Sequence, residues 1–280
     1  MDDSTLANLR VTSTWVDQYP KARDPKDSAS RWVELADLLL VVNITFNGLS
    51  RYKSALLVQA KCAACVNQLD ACQRLSSSWK ERNLLEMSSG TLEVRTSSGG
   101  DLLNPTKSSY ILAAPSVPAI GLEKFARYLI IPNNKIQGLP YNLLWPSSRT
   151  ATGGSVVHLG QAMLGMAKRS AGAVGQACTS PSTGGVCGDD WSQLVHDIIF
   201  RYSHASPLAR FPSAVKPISR SISSKLYSFE SSSLWNRFLD AFARAVFTAP
   251  SYMSPPVDED AGDEGEGGFM ILEVWLDQSE

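Results

Sequence analysis

The chain has 280 residues, 44% of them hydrophobic, and a formal net charge of −1. That length suits one large domain or a domain with a smaller appendage, and that hydrophobic share is ordinary for a globular fold. No apolar run approaches the ~20 residues of a membrane-spanning helix, and Met1-Asp2-Asp3-Ser4 lacks the basic and apolar segments of a signal peptide.

No membrane partner and a cytoplasmic location are therefore expected. Five cysteines, an odd number, do not read as a disulfide framework. The small net charge hides an asymmetry. Residues 258–280 hold nine Asp/Glu and no Lys/Arg, so the first 257 residues carry 26 basic against 18 acidic groups. Residues 103–225 account for that surplus, with 12 Lys/Arg and four Asp/Glu. A basic middle is what a polyanion-binding surface requires.

Taken from the N-terminus, residues 5–17 predict a short helix, and Lys21 to Asp27, with Pro20 and Pro25, a loop. Two apolar, β-rich runs follow, Ala36–Phe46 and Ala55–Lys61, around Asn47-Gly48-Leu49-Ser50. Asn-Gly between strands is a strong hairpin signal because both residues tolerate positive φ. The unbroken runs Leu38 to Val42 and Leu56 to Val58 predict strands covered on both faces, as in the middle of an α/β sheet. Polar residues at the ends of such strands are costly. Asp37 opens the first strand; Gln59 and Lys61 close the second, two apart, so their side chains share one face. With Asp37 on that face too, an acid, an amide oxygen and a lysine could hold a divalent cation and an attacking water.

An Asp, a hairpin and an apolar strand ending in Gln-x-Lys, here Asp37 and Gln59-Ala60-Lys61, resembles the PD-(D/E)XK nuclease superfamily. More narrowly it resembles the Mrr-like restriction enzymes, in which the second acid is commonly Gln. The resemblance covers roughly residues 30–87. No Pro precedes Asp37, and Gln59 in place of an acid reduces the negative charge of the site. The resemblance implies Mg²⁺ or Mn²⁺ as cofactor, held by Asp37, the Gln59 side-chain oxygen and a backbone carbonyl at Ala60. Lys61 would orient the attacking hydroxide and offset charge on the phosphorane-like transition state. Nucleases of this kind often carry a further acid before the Asp strand. Glu34 and Asp17 are the candidates, Glu34 first because it lies three residues before Asp37.

Beyond Lys61, residues 62–72 predict a helix with Cys62, Cys65, Leu69 and Cys72 on one face. Buried packing is the expected role of such thiols; a metal site joining Cys62 and Cys65 to Cys178 and Cys187 is the alternative. Lys80 to Glu86 predicts a second helix with an Arg82–Glu86 surface ion pair at i+4. Thr91–Thr96, Tyr110–Ala114 and Tyr128–Ile131 read as strands, with a short helix at Leu122–Ala126. Pro140 to Pro146 reads as an aromatic turn, Val156 to Arg169 as a helix, and residues 170–188 as a flexible connection. Asp190 is the expected N-cap of a helix whose stripe is Trp191, Leu194, Val195, Ile198 and Ile199. Residues 207–233 read as an irregular basic loop, Leu234 to Phe247 as an amphipathic helix. No H-E-x-x-H, P-loop or Gly-x-Ser-x-Gly pattern is present.

The expected fold class is α/β, a restriction-endonuclease-like central mixed sheet flanked by helices, with a largely helical second half. Residues 1–140 would form the nuclease-like core and 141–257 a basic, mostly helical extension or second subdomain. Residues 258–268 would be an acidic linker. Residues 269–277 would form a terminal strand, completing the chain's own sheet or donated to a second copy or a protein partner. The expected activity is Mg²⁺-dependent cleavage of nucleic acid by a DNA endonuclease, with host defence as its setting by analogy alone. The alternative is a non-catalytic nucleic-acid-binding or assembly protein on the same fold.

Overall fold

The computed structural model describes residues 7–17, 20–28, 30–47, 49–63, 65, 67–69, 77–96, 100–112, 121–132, 141–148, 151–170, 172–182, 184–202, 218–226 and 268–278. The first half contains β1 (Ala7–Asp17), β2 (Lys21–Arg23), β3 (Val33–Glu34), β4 (Leu38–Phe46), β5 (Leu49–Ala63), α1 (Ser77–Met87), β6 (Thr91–Arg95), β7 (Tyr110–Ile111) and β8 (Ala126–Pro132). The second contains β9 (Asn142–Pro146), β10 (Gly154–His158), α2 (Leu159–Lys168), β11 (Gln176–Cys178), α3 (Asp190–Tyr202), β12 (Ile218–Leu226) and β13 (Gly268–Gln278). The protein is an α/β fold built on mixed sheets. Among the described residues no helix is long and apolar enough to cross a membrane.

The large sheet runs β10-β9-β8-β5-β4-β13-β1-β12, with β11 on the early part of β5. The β4–β5 pair is the expected antiparallel hairpin, turned at Asn47 with φ 48°. It forms because an Asn tolerates the left-handed region, and a bulge at Ile44/Thr45 lets β5 begin at Leu49, earlier than expected. Alternation sorts its side chains. Leu38, Leu40, Val42, Leu56 and Val58 pack against α2, while Leu39, Val41, Ala55 and Leu57 join a core with α1, α3 and the small sheet. Both faces are covered, as unbroken apolar runs demand. Each fully buried leucine stabilises the fold by about 1.5–3 kcal/mol.

The small sheet, β3-β2-β6-β7, lies over the second of these faces. Its Ala22, Val33, Leu92 and Val94 point inward. Helix α1 is fixed on β8 by a buried ion pair, Arg82 Nε to Glu86 Oε1 at 2.6 Å, whose carboxylate also accepts the Tyr128 hydroxyl at 2.8 Å. The i+4 pair is therefore internal rather than on the surface. Gly121, at φ 65°, closes the connection to β8, since a Cβ there would overlap the Leu85 carbonyl that accepts the Leu122 N–H.

Several sequence expectations change. Residues 7–17 form strand β1, not a helix, in keeping with the β-branched Val11, Thr12, Thr14 and Val16. The Pro-flanked aromatic segment is strand β9 and pairs with β8 and β10. Leu122 to Phe125 is a hydrogen-bonded turn, and Gly154 to His158 is strand before α2 begins. Residues 62 and 63 continue β5 against β8 instead of opening a helix. Asp189, not Asp190, caps α3 by accepting the Ser192 N–H at 2.8 Å; Asp190 pairs with Lys107 and with the Ile111 N–H. Within 207–233, residues 218–226 form β12 against β1. The described second half carries two helices among five strands, so it is not largely helical there. The Leu234 to Phe247 segment and residues 258–267 of the acidic linker lie outside the described residues; Gly268 opens β13. The terminal strand β13 completes the chain's own sheet, parallel to β4 and antiparallel to β1, so both its edges are taken within the chain.

Candidate active site

The site forms where β4 starts and β5 outruns it. Asp37 N–H donates to the Val58 carbonyl at 3.1 Å, and beyond that point β5 has no strand partner on the β4 side among the described residues. Leu57 N–H bonds the Phe125 carbonyl on the β8 side. Alternate residues point their backbone groups to opposite sides, so Ala60 turns its N–H and carbonyl toward the open edge. The Asp37 carboxylate fills that edge. Its Oδ2 accepts the Ala60 N–H at 2.5 Å and the Gln59 Nε2 at 2.6 Å.

Gln59 and Lys61 share the face that carries Leu57 and Asp37. That face lies under α1 and the small sheet. Lys61 Nζ is ion-paired with Glu81 of α1, a residue that the sequence pattern does not single out. Glu81 lies one turn before the buried Leu84 and Leu85, so helical spacing alone directs it toward the sheet. Glu34, on β3, comes in from the small sheet. The structure thus brings together Glu34, Asp37, Gln59, Ala60, Lys61 and Glu81. The alternative acid, Asp17, ends β1, and its side chain is outside the described part.

Three acids and one lysine in a shielded place perturb one another. Burial pushes the Glu34 carboxyl up to about 7, with further upward pressure from Asp37 and Glu81 and downward pull from Lys21 and Lys61. Burial likewise raises Asp37 to about 6, against the pull of Lys61 and the Ala60 N–H. Both groups are therefore poised near neutrality, as functional carboxylates often are.

Two buried oxygens in the cluster lack any hydrogen-bond donor, Gln59 Oε1 and Glu34 Oε1. Unpartnered buried acceptors are uncommon and call for a cause. A rotation of the Gln59 amide would aim its oxygen at the edge that Asp37 occupies. Acid, amide and carbonyl oxygens are the donors that a hard divalent cation takes, so the residues present fit Mg²⁺ or Mn²⁺. Among the described residues no three His, Cys, Asp or Glu side chains are grouped to hold a metal. The neutral oxygens of Gln59 and Ala60 would thus have to complete the ligand set.

The cysteine alternative fails on distance. Cys178 sits opposite Lys53 of β5, and Cys62 is nine residues further along the same strand, roughly 30 Å away. Cys62 and Cys65 are exposed rather than packed, and burial pushes the Cys178 thiol up to about 12, far from a thiolate. The basic middle is also dispersed where it is described. Lys107 pairs with Asp190, Arg127 lies over Trp145, and Arg169 lies over Tyr52.

The comparisons with known proteins leave the site to speak through its chemistry. No family model matches this chain, and no curated protein or solved structure matches it.

Proposed function

We propose that this protein is a divalent-cation-dependent phosphodiesterase that cleaves DNA, on a fold of the restriction-endonuclease kind. The observation that carries the reading is the open β5 edge, where Asp37 meets Gln59-Ala60 beside Lys61 and Gln59 Oε1 is left without a donor. Asp37, Gln59 and the Ala60 carbonyl would hold Mg²⁺ or Mn²⁺, which would supply Lewis-acid activation of the phosphate and of water. Lys61 would place an ammonium against the charge that grows on the phosphate oxygens in the transition state. Glu81 holds that ammonium on the face of Gln59. Glu34, with a pKa near 7, has the character of a group that takes a proton from the attacking water.

A second reading is a non-catalytic DNA-binding or assembly protein. It is favoured by the absence, among the described residues, of a ready group of three metal-ligating side chains, and by Gln59 where an acid would bind a cation more strongly. Plasmid DNA incubated with Mg²⁺, with Mn²⁺ and with EDTA separates the two. Cation-dependent cleavage lost in Asp37→Asn supports the first; binding without cleavage under every condition supports the second.

A further inference from the structure

The outer face of the small sheet holds a second cluster that the reaction chemistry does not use. Lys21 is paired in register with Glu34 on one side and Arg95 on the other, and Arg23 with Glu93. Directly opposed residues share a face, and Ala22, Val33 and Val94 occupy the inner one. Lys21, Arg23, Glu93 and Arg95 therefore lie on the face opposite those apolar side chains. Trp32 joins them: the Arg95 guanidinium carbon lies 3.9 Å from its ring centroid and that of Arg23 4.7 Å. Arg23 is further fixed by Glu93, Nε to Oε2 at 2.6 Å.

Arg95 has no carboxylate partner among the described residues, and its Nε is buried with no acceptor. A guanidinium held over an indole has already lost much of its rotamer freedom, and its fork of donors matches a phosphate. Trp32 is two residues from Glu34, so the cluster starts roughly 7 Å from the acids of the site. A cleft of about 390 Å³ beside Trp145 and Ser147 suits a phosphate less well, because Glu86 and Glu123 line it.

We propose that Arg95 and Arg23, fixed over Trp32, form a clamp for the sugar-phosphate backbone of the DNA strand beside the phosphate to be cut. The inference rests on the nuclease reading for its ligand, and it adds a direction: the strand crosses the small sheet and enters the site past Glu34. Arg95 supplies the contact through the terminal amino groups of its guanidinium, since its Nε is buried. Trp32 is a positioning residue that keeps both guanidinium groups in place.

The test uses the full chain and a fluorescent duplex of about 20 base pairs, without divalent cation so that nothing turns over, from about 50 to about 300 mM KCl. Arg95→Gln should weaken binding about tenfold and lower the slope of log affinity against log salt by about 1. Arg95→Lys should keep the slope, because it keeps the charge, and lose only part of the affinity. Trp32→Leu should weaken binding severalfold with the slope kept. Melting curves on each variant identify misfolding, and the Lys variant remains informative if the Gln variant does not fold. Unchanged affinity and slope in Arg95→Gln would overturn the clamp; if cation-dependent cleavage persists alongside, the nuclease reading still stands. A wild-type chain that neither binds nor cuts DNA would overturn both.

Discussion

Lys61→Ala removes the cation from a cluster of three acids, and the consequence depends on pH in a way the structure fixes. Lys61 is ion-paired with Glu81, with 21% and 13% of the two side chains exposed. It also pulls down the pKa values of Glu34 and Asp37. Leaving a shielded charge without its partner costs about 1–3 kcal/mol. For a chain of this size each kcal/mol moves the melting temperature by about 2–4 °C, so a fall of roughly 4–10 °C is expected at pH 8. At pH 5 Asp37 and Glu34 lie below their folded pKa values of about 6 and about 7 and are mostly neutral. The lysine then has fewer charged neighbours to compensate, and the fall should be smaller. Melting curves of wild type and variant at the two pH values, in EDTA, read the difference directly. An equal loss at both, or no loss at either, would refute the account of these acids as a coupled, lysine-compensated cluster.

Other consequences can be checked with the same instruments. Asp37 and Glu34 bind protons more tightly folded than unfolded, so the stability these two groups contribute in EDTA, read as the difference between wild type and an Asp37→Asn/Glu34→Gln variant, should be fully present below about pH 4, fall as pH rises to about 7, and level off above. Because a cation binds the ionised acids, Mg²⁺ at about 10 mM should raise the melting temperature at pH 8 and leave it unchanged at pH 5. Asp37→Asn should fold, with a melting temperature at pH 8 equal to or above wild type, and lose the Mg²⁺ effect; a retained Mg²⁺ shift would remove Asp37 from the ligand set. Arg82→Met leaves Glu86 charged and buried between α1 and β8, and should cost about 3–5 kcal/mol, visible as a fall of roughly 10 °C at pH 8.

Much of the centre of this fold is written locally. The β4–β5 hairpin follows from Asn47-Gly48 and two unbroken apolar runs, and the shared face of Gln59 and Lys61 follows from period-2 alternation. Helix α3 was equally legible from Trp191, Leu194, Val195, Ile198 and Ile199, all of them buried. What was hidden depended on tertiary pairing. Strand β9 carries a proline at its end and reads as a turn until β8 and β10 supply hydrogen bonds on both sides. Residues 62 and 63 continue β5 because β8 pairs with them, a contact across some 70 residues of chain. Glu81 was missed because nothing in the Gln-x-Lys pattern refers to a helix twenty residues downstream. Its place one turn before Leu84 and Leu85 was the available signal. The cysteines misled because their spacing fits a helix face as well as it fits an extended strand end.

The central claim is that the β5 edge cuts DNA with a cation's help, and single-turnover cleavage of supercoiled plasmid tests it most directly. The wild-type chain should nick or linearise the plasmid with Mg²⁺ or Mn²⁺ and leave it intact in EDTA. Lys61→Ala, compared at pH 8 at a temperature where both chains are folded, should cut at least about a hundredfold more slowly, the scale of a lost transition-state charge contact, while its affinity for DNA changes little. A wild-type protein inert with both cations, or a Lys61→Ala variant that cuts as fast as wild type, would contradict the account.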